Sequence, residues 1–346
     1  MTCSSGPILI VGGPTASGKS ALALDLALQF GGVVINADSM QVYRELRILS
    51  ARPTPADERR APHRLYGILA GGERCSAGRW RDLALAEIAA AHGERLLPIL
   101  VGGTGLYLRS LLKGLAPVPT IAKEVREAAR ALHAEVGAAQ FHRLLAACDP
   151  RGAARIHPAN TQRVLRAYEV FEATGKSLSD WQAGQVSGHE SGYGGEVAAL
   201  VLEPPRQALY AACEARAEFM AAAGGIEEAA GLLALGLDPA LPVMKALGVR
   251  EFAAYLRGET TLDEAIDMLR QATRRYAKRQ GTWFRHQMPE AKRITARYDA
   301  ARGEDIRQIA ETLLGDIEPA NNRGIRSWSC SSQRRRLSKP PATNPR

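Results

Sequence analysis

Apolar residues in the first third of the chain fall into short runs, each closed by glycine or polar residues. Ile8-Leu9-Ile10-Val11 leads into a glycine-rich loop, Val33-Val34-Ile35-Asn36-Ala37 into Asp38-Ser39, and Leu96-Leu97-Pro98-Ile99-Leu100-Val101 into Gly102-Gly103-Thr104-Gly105. Unbroken apolar runs of this length, bounded by turn residues, predict strands buried on both faces, as in a parallel sheet. Residues 83–91 carry helical spacing, as a right-handed crossover between two such strands requires. Further strands are expected at 64–69, after Pro62-His63, and at Val197–Leu202. The long interval before the last of these predicts that an insertion interrupts the sheet.

That interval reads as helical. Residues 124–136 are rich in Ala, Glu and Arg, Gly137 stops the pattern, 140–147 restarts it, and Asp149-Pro150 opens another turn. Asn160 is placed to cap a helix over 161–173 with Val164, Leu165, Tyr168 and Phe171 on its apolar face, and Gly175 to end it. A Gly/Ser-rich loop, 184–195, returns the chain to the sheet. Later, Thr261-Leu262-Asp263-Glu264 has the form of a capping box opening a long helix. The expected organisation is an α/β core over 7–118 and 196–317, a helical insertion over 119–195, and a basic, disordered tail over 318–346 with Arg334-Arg335-Arg336. The fold class is α/β: a P-loop NTPase-like parallel sheet flanked by helices, with a small all-helical insertion domain.

Candidate chemistry begins in the first turn. Gly13-Pro14-Thr15-Ala16-Ser17-Gly18-Lys19-Ser20 lies between a strand and a helix and has the Gly-x-x-x-x-Gly-Lys-Ser form of a phosphate loop. Its backbone N–H groups and the helix dipole favour phosphate, Lys19 reaches the terminal phosphates, and the Ser20 hydroxyl suits Mg²⁺. Ligands of open parallel sheets bind beyond the carboxyl ends of the strands, so Lys19, Asp38 and Thr104 are expected to share one crevice.

Composition narrows the class of protein. A formal charge of +9 over 346 residues favours a polyanionic partner. The five cysteines (Cys3, Cys75, Cys148, Cys213, Cys330) lack the spacing of a disulfide framework or a zinc site. No apolar run reaches the ~18 residues of a membrane helix, and the first strand starts too close to Met1 for a signal peptide, so a cytoplasmic protein is expected. Two basic stripes stand out: Arg155, His157, Arg163 and Arg166, and Arg270, Arg274, Arg275, Lys278 and Arg279 before Trp283-Phe284. They read either as solvated helix faces or as contacts to nucleic-acid phosphates.

Seven segments in order now resemble one family: residues 13–20, Asn-Ala-Asp-Ser-Met-Gln-Val-Tyr at 36–43, Pro-His-Arg-Leu at 62–65, Val-Gly-Gly-Thr-Gly-Leu-Tyr at 101–107, Arg-Ile-His-Pro-Ala-Asn-Thr-Gln-Arg-Val-Leu-Arg-Ala at 155–167, Leu-Gly-Val-Arg-Glu at 247–251 and Ala-Lys-Arg-Gln-Gly-Thr-Trp-Phe at 277–284. Together they resemble the bacterial tRNA dimethylallyltransferases, also called tRNA isopentenyltransferases, over residues 7 to 300. The resemblance implies transfer of a dimethylallyl group from its diphosphate to N6 of the adenosine immediately 3′ of the anticodon, with diphosphate released and no need for ATP. It further implies Asp38 as general base, Thr104 as a ligand of the diphosphate, and Arg126 at the reacting centre. Residues 13–20 would hold the diphosphate with Mg²⁺ at Ser20. Asp38, Ser39, Met40, Gln41, Thr104, Arg126, Gln162, Arg163, Val164, Leu165 and Arg166 would contact the tRNA anticodon arm. A monomer is expected.

The chain departs from the family pattern at Ala212-Cys213, where members often carry an Arg-Ile pair, and at Val249, where an aromatic residue is common. Arg216 and Met220 still fit. Two other classes use parts of the same sequence: a small-molecule kinase sharing the phosphate loop, and a P-loop RNA-binding module without chemistry. A regulatory GTPase is excluded by the lack of an Asn-Lys-x-Asp segment.

Overall fold

The computed structural model describes residues 6–184, 192–299 and 303–315. The tail 318–346, Cys3, Cys330 and part of the loop 184–195 lie outside the described residues. Two compact units form, one from Met1–Tyr107 with Gly195–Arg346 and the other from Leu108–Gly194.

The first unit is built on a six-stranded sheet, β1 (Ile8–Gly12), β2 (Gly32–Asn36), β3 (His63–Arg64), β4 (Leu97–Gly102), β5 (Val197–Leu202) and β6 (Lys292–Ile294), in the order β3-β2-β4-β1-β5-β6. Every pairing among the described residues is parallel, with Val11 opposite Val101 on one side and Leu200 on the other. All residues of β1, β2 and β4 are buried, which is why these runs show no alternation of apolar and polar positions. The crossover helix Ala77–Gly93 is capped by Ser76 and buries Trp80, Ala84, Ile88 and Ala91 at helical spacing. Trp80 stacks on Tyr107 and its indole N–H donates to the Asn36 carbonyl at 2.9 Å, so the end of β2 is fixed from behind.

The expected strand 64–69 is corrected by the structure. Only His63 and Arg64 pair with β2; Leu65 and Gly67 both take positive φ (65° and 60°), turning the chain over the segment that follows β2. Leu65 gives its carbonyl to Asn36 Nδ2 at 3.1 Å and Gly67 N–H donates to the Gln41 carbonyl, so the apolar run caps a loop instead of extending the sheet. Leu69 retains a single bridge to Tyr43. Strand β6 was not anticipated from the sequence.

The long helix Leu262–Gln287 starts at the Thr261/Glu264 capping box. Two members of its basic stripe are structural: Arg270 pairs with Glu218 at 2.7 Å and Arg274 with Glu214 at 2.6 Å, both carboxylates on helix Arg206–Ala222. For these two arginines the reading as a helix face is favoured over phosphate contacts, because a carboxylate of the neighbouring helix offsets each positive charge.

The second unit has its own core of Phe141, Leu145, Val164 and Ala167. Its longest helix, Lys123–Cys148, carries one non-helical residue, Gly137 (φ 76°, ψ 165°), where a stop was expected. Helix Thr161–Thr174 is capped by Asn160 and closed by Gly175 in the left-handed region (φ 64°).

One carboxylate organises the loop that walls the site described below. Glu228, in helix Gly225–Ala234, accepts the backbone N–H groups of Arg47, Ile48 and Leu49 at 2.8, 2.8 and 2.9 Å. Replacing it with alanine orphans three donors at once. Glu228→Ala is expected to lower stability by about 2–3 kcal/mol, read as a lower urea midpoint, and to raise hydrogen exchange at amides 47–49 before the rest of the sheet. Unchanged protection there would show that the carboxylate does not hold the loop.

Candidate active site

The loops after β1, β2 and β4 meet at one end of the sheet, where a cavity of about 820 Å³ opens. Its floor is the phosphate loop. Gly18 takes φ +93°, and a Cβ there would stand 2.7 Å from the Tyr298 carbonyl, so this position requires glycine. The loop is stapled by the segment that follows β6: Tyr298 N–H donates to the Ser17 carbonyl at 3.0 Å and Arg297 Nε to the Ala16 carbonyl at 3.2 Å.

Thr15 departs from the expected cradle. Its N–H donates to Gln280 Oε1 at 2.8 Å, while Gln280 Nε2 donates to the Gly103 carbonyl at 2.9 Å. The Thr15 amide is therefore committed to the protein, although the residue still lines the cavity. The Ser17 hydroxyl is buried and has no hydrogen-bond partner among the described residues. Ser20 is exposed to the cavity at the first turn of helix Lys19–Phe30.

Five cations line this space, Lys19, Arg216, Lys245, Arg279 and Arg297, against one carboxylate, Asp38. Lys19 Nζ rests 3.3 Å from the Pro14 carbonyl. Burial lowers its pKa to about 8; Asp38 works in the opposite direction and Arg216 adds to the lowering. Arg216 is also pushed down by burial and supported by Asp38. Its Nη2 donates to the Leu49 carbonyl at 3.3 Å, while its Nε is buried without a partner among the described residues.

Asp38 is held by its neighbours. Asn36 Oδ1 accepts the Asp38 N–H at 2.8 Å, Asn36 Nδ2 donates to the Asp38 carbonyl, and Asp38 Oδ1 accepts the Met40 N–H at 2.9 Å. Thr104 Oγ1 accepts the Ser39 N–H at 2.9 Å and lies 3.2 Å from Ser39 Oγ. It also shares a hydrogen bond with Tyr276, whose phenol burial pushes well above its usual range. The Asp38 loop and the β4 turn are thereby joined through Thr104. Met40 and Gln41 line the cavity, with Gln41 Nε2 spent on the Ser50 and Ala51 carbonyls. One wall is apolar: Ala208, Ala211, Ala212 and Ala215 on helix Arg206–Ala222, with Phe219 at its end.

The remaining candidates lie in the second unit. Arg126 and Arg166 both stand near Glu169, whose pKa burial raises and these arginines counter. Gln162 and Arg163 are exposed, Arg166 and Leu165 half-buried. Val164 is 1% exposed and belongs to the core of that unit, so its side chain has no surface to offer a ligand.

Sequence reading missed Gln280, Tyr276 and Arg297 as site residues and named Arg279 only as part of a basic stripe. A signal for Gln280 was present: in the long helix it occupies the buried face with Leu269, Thr273, Ala277 and Phe284, where a long polar side chain needs a partner. Of the three described cysteines, buried Cys213 packs with Leu209 and Ala277, beside Ala16, and its thiol is pushed up to about 11 by burial. Among the described residues no cluster of three His, Cys, Asp or Glu side chains forms, and no helix is long and apolar enough to cross a membrane.

Comparison with known proteins gives a consistent answer. The IPP transferase family model matches residues 41–287, and an isopentenyl transferase model matches 7–71. A tRNA dimethylallyltransferase from Rhodospirillum centenum is 58% identical over 83% of this chain and 91% of its own length; that of Rhodospirillum rubrum is 54% identical over 91% and 94%. Among solved structures, the tRNA isopentenylpyrophosphate transferase of Bacillus halodurans superposes with a TM-score of 0.65 at 32% identity, covering 91% of this chain and 98% of that one. A eukaryotic dimethylallyltransferase acting on tRNA shares the fold with a TM-score of 0.77 at 24% identity, covering 92% and 82%. With a phosphate loop, an anchored carboxylate and a cationic cavity at the strand ends, and with relatives matching nearly end to end, the chain belongs to the IPP transferase family of tRNA dimethylallyltransferases.

Proposed function

We propose that this protein transfers the dimethylallyl group of dimethylallyl diphosphate to N6 of the adenosine immediately 3′ of the anticodon in tRNA, releasing diphosphate. The observation that carries the reading is the placement of Lys19, Arg216 and the single carboxylate Asp38 around one cavity above the phosphate loop. Cleavage of an allylic C–O bond builds negative charge on the departing diphosphate. Groups that strengthen as that charge grows, namely Lys19, Arg216 and the N–H groups at the start of helix Lys19–Phe30, lower the barrier. Burying five carbons contributes only ~4 kcal/mol, so the diphosphate must supply most of the donor's affinity.

No carboxylate is basic enough to ionise a neutral aromatic amine beforehand. The N6 proton leaves as the C–N bond forms, when the nitrogen becomes acidic, and Asp38 accepts it. Asn36 holds the backbone of Asp38 and the Met40 N–H holds its carboxylate, with no positive charge bonded to it, which preserves its capacity as an acceptor. Thr104 holds the Asp38 loop through Ser39 and meets the donor from the β4 side. An adenine stacked in a loop is inaccessible, so it must be extruded into the cavity.

An oxygen donor that suits Mg²⁺ is present in the Ser20 hydroxyl, exposed to the cavity at the first turn of helix Lys19–Phe30, with phosphate oxygens and water to complete the set. When bound, the ion would neutralise charge on the diphosphate. Arg126, Gln162, Arg163 and Arg166 are assigned to the RNA backbone on the second unit, and the cell's tRNA pool places the reaction in the cytoplasm.

The direct test incubates the protein with Mg²⁺, unmodified tRNA and dimethylallyl diphosphate, without ATP, followed by digestion and mass spectrometry. N6-dimethylallyladenosine is expected from the wild type, with at least about a hundredfold loss in Asp38→Ala, the lower end of the range for removing a positioned base. Absence of product across several tRNAs sinks the proposal.

A pH profile tests Lys19 separately. Burial favours its neutral form, so in the free enzyme the ammonium is lost as pH rises through about 8, well below the ordinary 10.5. The charged form binds diphosphate; kcat/KM for the donor should therefore fall above that pH, and Lys19→Arg should remove this limb. A flat profile to pH 9.5 would show that Lys19 keeps its ordinary charge in the cavity.

A further inference from the structure

The apolar wall of the cavity is polarised along helix Arg206–Ala222. Ala208, Ala211, Ala212, Ala215 and Phe219 recur at spacings of three, one, three and four, on one face of that helix. At 1.5 Å per residue the stripe is roughly 16 Å long. Its first part lies beside the phosphate loop, since Leu209 and Cys213 pack with Ala16. Farther along, Arg216 reaches the Leu49 carbonyl, and the stripe ends at Phe219, 65% exposed.

Isolated exposed apolar residues are ordinary on a protein surface. Phe219 differs in position: it lines a cavity that otherwise presents cations, with exposed Lys245 and Arg279 among the lining residues. The acidic residues of its own helix are turned away, Glu214 and Glu218 being paired with Arg274 and Arg270 of the long helix. A planar apolar ring at a cationic mouth is the arrangement that receives an unstacked nucleobase whose backbone follows the charges. Extruding one base from a loop also strips its neighbours of a stacking partner, so a ring is needed where the extruded base leaves the stack.

We propose that Phe219 is a stacking platform for a nucleobase flanking the extruded adenosine, with Lys245 meeting the adjoining phosphate. This rests on the tRNA reading above and adds an RNA-positioning residue at the mouth of the cavity, at the opposite end from the diphosphate.

The test uses the full chain with an anticodon stem-loop RNA carrying 2-aminopurine beside the target adenosine, and steady-state prenylation of the same RNA without the probe. Phe219→Ala removes an exposed ring, so the fold is retained. It is expected to weaken RNA binding and raise KM for RNA about tenfold, to reduce the 2-aminopurine fluorescence change on binding, and to leave KM for dimethylallyl diphosphate unmoved. Phe219→Trp should restore RNA affinity, while Phe219→Leu, apolar but not planar, should not. Equal RNA affinity in the wild type and Phe219→Ala overturns the platform, as does rescue by leucine as full as by tryptophan. Failure of the wild type to form product, with RNA affinity still dependent on the ring, would overturn the transferase reading and keep the platform.

Discussion

Gln280 sends its side-chain amide between two turns that are distant in sequence, accepting from Thr15 N–H and donating to the Gly103 carbonyl. It is buried, so both bonds operate where an unmade one is costly. The approach is close enough that a Cβ on Gly103 would overlap the amide, and one on Gly105 would meet the Trp283 ring. The long helix thus lies directly on the glycine turns and sets the separation of the phosphate loop from the β4 turn. Tyr276, one turn earlier on the same helix, reaches Thr104, and Thr104 reaches Ser39. One helix therefore positions all three loops around the cavity.

This rigidity holds together a cavity that is electrostatically unfavourable when empty. Lys19 and Arg216 are both penalised by burial, repel one another, and share the single carboxylate Asp38. Such a site lowers the stability of the free protein and recovers it when an anion binds. The cations that serve structure are segregated: Arg270 and Arg274 are neutralised by carboxylates on the neighbouring helix, and Arg293 by Glu203. The net basic charge of the chain alone could not distinguish the two groups.

What was legible in the sequence was local. The phosphate loop, the buried strands, the Asn160 and Thr261 caps and the break at Gly137 each depend on residues within a few positions of one another, so pattern and propensity suffice. The convergence of Lys19, Asp38 and Thr104 was legible because parallel-sheet topology brings strand ends together. What failed depended on partners far along the chain. Residues 64–69 look like a strand, yet contacts to Asn36 and Gln41 bend them over the Asp38 loop. The roles of Gln280 and of Glu228, which holds residues 47–49, exist only once the chain is folded.

The strand order also bears on the kind of reaction the site suits. Asp38 follows β2 and the phosphate loop follows β1, with β4 and Thr104 between them. Two strand spacings, about 10 Å, separate the ends of β2 and β1, and the loops that follow them bring Asp38 within electrostatic reach of Lys19. Here the carboxylate and the cations share one cavity with the alanine face of helix Arg206–Ala222. That combination of cations, a small apolar wall and one carboxylate suits the proposed attack on carbon, the cations gripping the diphosphate while the carboxylate serves the acceptor.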